Sequence, residues 1–161
     1  EITRQCRDLS IQPAYLYATA FDTTQAGLVL GMHYLGKPMH VRGITPTEMP
    51  LEERQHKMMV MANQGAERLG LEIEFHATDF DNDDGFIGER YGVASPAGVE
   101  AIHLLAKTEG ILIDPAYTGK GLSALIAHIR QGKLDKAQPV VFLHTGGAPA
   151  LFAFVEDVLH L

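Results

Sequence analysis

Cysteine and tryptophan are almost missing from this chain of 161 residues: Cys6 is its one cysteine, and it has no tryptophan. A lone cysteine excludes an internal disulfide framework and any cysteine-based zinc site. Long apolar runs are missing too, since none approaches the roughly 18 residues that span a bilayer. Basic residues are in deficit, with 13 Lys and Arg against 20 Asp and Glu and a formal charge of −7. Nucleic acid or an anionic membrane would call for a basic face, so neither partner is expected. The chain opens on Glu1 without a signal peptide, which reads as a break inside a longer protein. What remains is ordinary globular composition, 46% apolar and 20% charged. A chain of this length buries roughly 70% of its unfolded surface, enough for a core. The composition reads as soluble, acidic and cytoplasmic.

The period of the apolar residues alternates between strand-like and helix-like. PAYLYATA at 13–20 reads as a buried strand after a polar, amphipathic opening. Thr23 and Thr24 start a helix that runs through Val29 and Met32 to a stop at Gly36. PMHVRGI at 38–44 reads as a strand, and Pro50 opens a second helix that ends at Gly70. LEIEF at 71–75 alternates as a third strand, and residues 76–98 hold an acidic, glycine-rich loop without a period. Helices are expected over about 97–108 and 119–131, the latter closed by Gly132. PVVFLH at 139–144 is the last strand, and TGGAP turns into a short final helix.

Strands alternating with helices imply parallel βαβ units and an α/β, doubly wound, mostly parallel sheet, read as one domain over residues 1–161. Ligands of such sheets sit beyond the carboxyl ends of the strands. That rule selects two loops, AFDTTQAG after the first strand and HTGGAP after the last.

Several motifs fail. GMHYLGK at 31–37 has phosphate-loop spacing, but Pro38 stands where Ser or Thr is required. Asp79, Asp81 and Asp83 alternate as in a calcium loop, but the glycine comes one place late and Arg90 takes the place of the closing glutamate. The expectation there is a solvated acidic loop. No paired-histidine zinc motif and no nucleophile elbow is present, so no metal site is expected.

TEGILIDPAYTGK at 108–120, followed by VFLHTGGAPALF at 141–152, is more specific. Together these segments resemble the C-terminal half of the D-cysteine desulfhydrases. With the aminocyclopropane-carboxylate deaminases, those enzymes belong to the tryptophan-synthase-like (type II) pyridoxal-phosphate enzymes. Tyr91-Gly92 resembles the family's G-Y-G-x-P loop, with Arg90 in place of the first glycine, and Tyr17 to Gly31 resembles its strand, phosphate loop and helix.

The resemblance implies the C-terminal portion of the tryptophan-synthase-like fold, with pyridoxal phosphate as cofactor and a small amino acid as substrate. It implies Tyr117 and Tyr91 as active-site tyrosines and Thr145 as the hydroxyl facing the pyridine nitrogen, with Gly146 beside it. Thr19, Thr23, Thr24 and Gln25 are the hydrogen-bond donors left for the phosphate. The family's glycines are absent from the phosphate loop, at about 1–2 kcal/mol for each position that needs positive φ. Asp22 adds a carboxylate; like charges about 4 Å apart cost roughly 4 kcal/mol at an effective dielectric of 20.

The family's cofactor-bonding lysine follows a glycine–asparagine pair, and no such motif occurs. The lysines are Lys37, Lys57, Lys107, Lys120, Lys133 and Lys136, of which Lys120 reads as a helix-end surface charge. The expected protein is one part of a carbon–sulfur lyase, homodimeric when full length or completed by a missing N-terminal half, and inactive by itself. Thr118 and Thr145 favour D-cysteine desulfhydrase over the cyclopropane deaminases, and a cysteate sulfo-lyase would share them. A non-catalytic α/β module that has lost the cofactor is the reading from another class.

Overall fold

A strand with apolar residues on both sides needs cover on both faces of its sheet. YLYAT meets that condition, and it forms the inner strand β1 (Tyr15–Thr19). Leu16 and Ala18 point into one apolar cluster and Tyr17 into another. The structure is a computed structural model that describes residues 1–36 and 39–159. Lys37 and Pro38 lie outside the described residues, and with them the end of the GMHYLGK run and the first residue of the strand expected from 38.

The chain runs α1 (Ile2–Asp8), β1, α2 (Thr23–Tyr34), β2 (His40–Ile44), α3 (Leu51–Arg68), β3 (Asp81–Asp83), α4 (Pro96–Glu109), α5 (Thr118–Arg130), β4 (Val140–Leu143) and α6 (Val155–Leu159). Short 3-10 turns occupy Ala77–Asp79 and Ala148–Phe154. The sheet order is β3-β2-β1-β4 and every pairing is parallel, with Tyr15 beside both His40 and Val140. One face is covered by α1, α2 and α3 through Cys6, Val29, Leu30, Met58 and Ala62. The other is covered by α4, α5 and α6 through Ala101, Ile102, Leu122, Leu125 and Val158. The architecture is α/β and doubly wound. No described helix is long and apolar enough to cross a membrane.

Gly36, Gly70 and Gly132 end their helices as expected, each in the left-handed region with φ of 58°, 65° and 69°. Two expectations fail. LEIEF at 71–75 forms no strand, although Leu71, Ile73 and Phe75 do turn toward the α3 side of the core. Asn63 of α3 satisfies the backbone there instead: its side-chain oxygen accepts from Phe75 N–H at 2.8 Å and its amide donates to Phe75 O at 3.0 Å. The place beside β2 goes to β3, inside the segment read as an irregular loop.

The acids of that segment are not simply solvated either. Asp81 Oδ2 accepts from Arg42 Nε and pairs with His40 Nε2, both at 2.6 Å, and Asp79 caps its own turn by accepting from His76 N–H. Burial opposes ionisation of Asp81, but these two partners outweigh it and lower its pKa.

Candidate active site

Because the strands are parallel, the residues that follow β1 and β4 emerge at one edge of the sheet, side by side. Thr19 ends β1 fully buried. Its hydroxyl donates to the Tyr117 carbonyl at 3.3 Å, which joins β1 to the start of α5. Gly121 makes that approach possible, since a Cβ there would overlap Thr19 Oγ1.

Asp22 is the N-cap residue of α2, and the Ala26 N–H is the first to bond back, to Asp22 O. The N–H groups of Thr23, Thr24 and Gln25 therefore have no intrahelical acceptor. Thr23 and Thr24 are exposed, and the Thr23 hydroxyl donates to Asp22 Oδ1 at 3.3 Å. Gln25 differs. Its side chain is fully buried, donating to Asp81 O at 2.6 Å and accepting from the Asn82 amide at 2.7 Å. The side chain ties α2 to β3 and is engaged there, which leaves the backbone N–H as the Gln25 donor at the helix start. Lys57 of α3 places its ammonium 5.8 Å from the centre of the Phe21 ring in the same loop.

After β4 the backbone turns through Gly146 and Gly147, at φ of 111° and 95°. A Cβ on Gly147 would overlap Asp114 Oδ1, so glycine there lets the loop close on α5's capping acid. His144 Nε2 donates to Leu112 O at 3.1 Å, and its Nδ1 accepts from the Gly146 N–H at 3.3 Å. Thr145 between them is exposed. It does not cap the following turn, whose N-cap is Gly147.

Asp114 organises the start of α5. Fully buried, it accepts from the Tyr117 N–H at 2.7 Å, the Thr118 N–H at 2.9 Å and the Thr118 hydroxyl at 2.7 Å. The Thr118 hydroxyl is thus committed to Asp114. Tyr117 is left half-buried at the helix start. Burial raises its phenol pKa, and the charges of Asp22, Tyr91 and Asp114 push the same way. The phenol is a proton donor at neutral pH. Tyr91 is about half exposed and donates its N–H to Glu48 Oε1 at 3.2 Å.

Lys120 is not a surface charge. It is fully buried, and its ammonium donates to Ile87 O at 2.5 Å and Arg90 O at 2.7 Å. The sequence offered no signal for this, because the carbonyls that hold it lie about thirty residues away along the chain.

Comparison with known proteins identifies the family. Residues 7–146 match the model of the pyridoxal-phosphate dependent enzyme family. The D-cysteine desulfhydrases of Salmonella newport (strain SL254) and Salmonella heidelberg (strain SL476) are each 36% identical over 158 residues, covering 98% of this chain and 47% of their own length. A crystal structure of an ACC deaminase homologue superposes with a TM-score of 0.80 at 25% identity, over 97% of this chain and 47% of that one. The chain therefore spans about half the length of these relatives. With an α/β sheet of matching fold and a family match over most of its residues, this chain belongs to the pyridoxal-phosphate dependent enzymes.

Proposed function

We propose that the chain is the C-terminal part of a pyridoxal-phosphate dependent carbon–sulfur lyase of the D-cysteine desulfhydrase type, which converts D-cysteine and water to pyruvate, ammonia and hydrogen sulfide. One observation carries the reading: Tyr117, held protonated and half-buried, stands at the same sheet edge as the α2 N-terminus and Thr145. Bound pyridoxal phosphate supplies an electron sink for negative charge developing at the substrate's α-carbon.

The residues fit that cofactor on the ring side. The exposed Thr145 hydroxyl would meet the ring nitrogen as a neutral partner. Gly146 leaves open space beside it, since a Cβ built there meets nothing within 4 Å. Tyr117 would hold a proton beside the reacting carbons. The free N–H groups of Thr23 and Thr24 and the Thr24 hydroxyl would hold the phosphate, with the positive end of the α2 dipole behind them. Thr19 acts from underneath, fixing the Tyr117 backbone.

Asp22 opposes the phosphate at that helix start, so the reading entails weakened phosphate binding. Replacing Asp22 with Gly should tighten pyridoxal phosphate at least tenfold and leave unphosphorylated pyridoxal unchanged, by equilibrium titration. Equal gains for both ligands would remove the phosphate assignment.

Activity tests the rest. The expressed whole gene product should release pyruvate and sulfide from D-cysteine in equal amounts, and Tyr117→Phe should cut kcat by roughly 10²–10⁴-fold. A preference for a cyclopropane amino acid or for cysteate would reassign the substrate. A protein that binds no cofactor would leave the non-catalytic module. The lysine that completes such a site would come from outside this chain: Lys120 is tied to carbonyls and Lys57 lies over Phe21.

A further inference from the structure

Lys120 has no part in the chemistry proposed above, yet it is a fully buried lysine in the first turn of α5, directly after Tyr117 and Thr118. The positive end of a helix dipole is an unfavourable place for a cation. Burial of an ammonium is costly unless its donors are met. Here they are met by two carbonyl oxygens from one loop, Ile87 and Arg90.

Past Phe86, that loop has few other polar ties. Residues 84–95 contain no helix or strand. Their own backbone bonds, from Ile87 N–H to Asp84 O and from Val93 N–H to Arg90 O, are both 3.4 Å long. Gly88 and Gly92 bracket the segment in the left-handed region, at φ of 74° and 78°. Between them, Glu89, Arg90 and Tyr91 are exposed. The start of the segment is anchored, with Arg54 donating to Asp84 Oδ2 at 3.0 Å, Gly85 N–H to Asp83 Oδ1 at 2.8 Å and Phe86 edge-on to His128; farther along, Glu48 accepts the Tyr91 N–H at 3.2 Å.

We propose that Lys120 is a positioning residue: its buried ammonium grips the carbonyls of Ile87 and Arg90 and so holds the loop that presents Tyr91 at the mouth of the site. An ammonium suits this task because its three donors can meet two carbonyls at once without a fixed plane. An apolar side chain of equal length would fill the same volume but leave both carbonyls without a donor. The carboxylates of Glu48 and Asp114 favour the charged form against the burial that lowers the lysine's pKa.

The test is Lys120→Met, read by hydrogen exchange in the whole purified chain without cofactor. The expected result is exchange at least tenfold faster across residues 86–92, with α2, α3 and α5 unchanged. Tyr117 provides a second readout that simple core filling would not move. With Tyr91 released, the Tyr117 phenol should ionise at lower pH than in the parent, measured by ultraviolet titration against Tyr117→Phe. Lys120→Gln, which retains one donor group, should give an intermediate exchange rate.

Unchanged loop exchange in Lys120→Met would overturn the proposal. So would acceleration spread evenly over all elements, or loss of fold in both variants, since each marks a residue of the core and not a clamp. None of these readouts needs bound cofactor or turnover. Failure of the lyase reading would therefore leave them standing, and their failure would leave the lyase reading untouched.

Discussion

On one face of the sheet, Val29 and Leu30 of α2, Met58 and Ala62 of α3, and Phe75 and Phe80 of the segment after α3 share one cluster with Leu16 and Ala18. On the other, buried polar groups run through the packing: Tyr17, His128, Asp114, Thr118, Lys120 and Ser123 are all 4% exposed or less, among Ile113, Ala124 and Leu122. Apolar packing is non-directional and is met by many arrangements. Each buried polar group instead demands a particular partner at a particular distance. Asp114 fixes the backbone of Tyr117, Lys120 fixes the carbonyls on either side of Glu89, and Thr19 locks α5 to β1. The first face is mostly apolar, with Gln25 and Arg54 as its buried polar ties, and the second carries more of the directional contacts. The Tyr117 end of the candidate site hangs from the second, while Thr23 and Thr24 stand on α2 of the first.

The comparison can be broken at its apolar side first. Phe75→Ala should cost about 3–5 kcal/mol in urea unfolding, as large-to-small changes do in a packed core. The Tyr117 titration should stay where it is. On the polar side, Asp114→Ala leaves the N–H groups of Tyr117 and Thr118 without their acceptor and should cost about 1–3 kcal/mol. Here the Tyr117 titration should move as well, because the carboxylate that raises it is gone. If both substitutions shifted Tyr117 alike, the division of labour between the faces would fail.

The smallest effect is pH-dependent. Arg42 Nη1 donates to the Tyr17 hydroxyl at 3.4 Å, and that hydroxyl sits 2.9 Å from His128 Nδ1. With the hydroxyl donating to Nδ1, the ring carries its proton on Nε2, which lies 3.2 Å from Asp83 Oδ2. Burial lowers the His128 pKa below its ordinary 6.5, and the charges of Lys133 and Arg42 add to this while Asp83 opposes it. Between 6.5 and the lower native value, the unfolded chain binds more protons than the native one. Stability should therefore be full above 6.5 and fall as pH drops through that window, by at most about 1.4 kcal/mol per pH unit. Unfolding midpoints on both sides of the window measure it, and His128→Gln should flatten this part of the profile.

Much of the fold was legible because helix and strand periods are local. Val29 and Met32 mark α2, Leu122 and Leu125 mark α5, and glycines end both helices. LEIEF misled because alternation reports which side chains turn inward, not whether a strand lies alongside; Asn63 took the part of the neighbour. DND at 81–83 shows no apolar alternation, and its place beside β2 comes with partners from elsewhere in the chain, Arg42, His40 and Gln25. The burial of Gln25 and Lys120 was not legible for the same reason, since a polar residue's burial depends on groups the chain brings back from afar.

The sequence by itself determined the order of helices and strands, the parallel α/β class and the family, because these reside in local periods and contiguous motifs. Only the tertiary structure decided which polar residues face the site and which hold it in shape. Gln25, Thr118 and Lys120 hold, while Thr23, Thr24, Tyr91 and Thr145 face outward. A buried donor must find its acceptor in space, and the distance between them along the chain carries no trace of that choice.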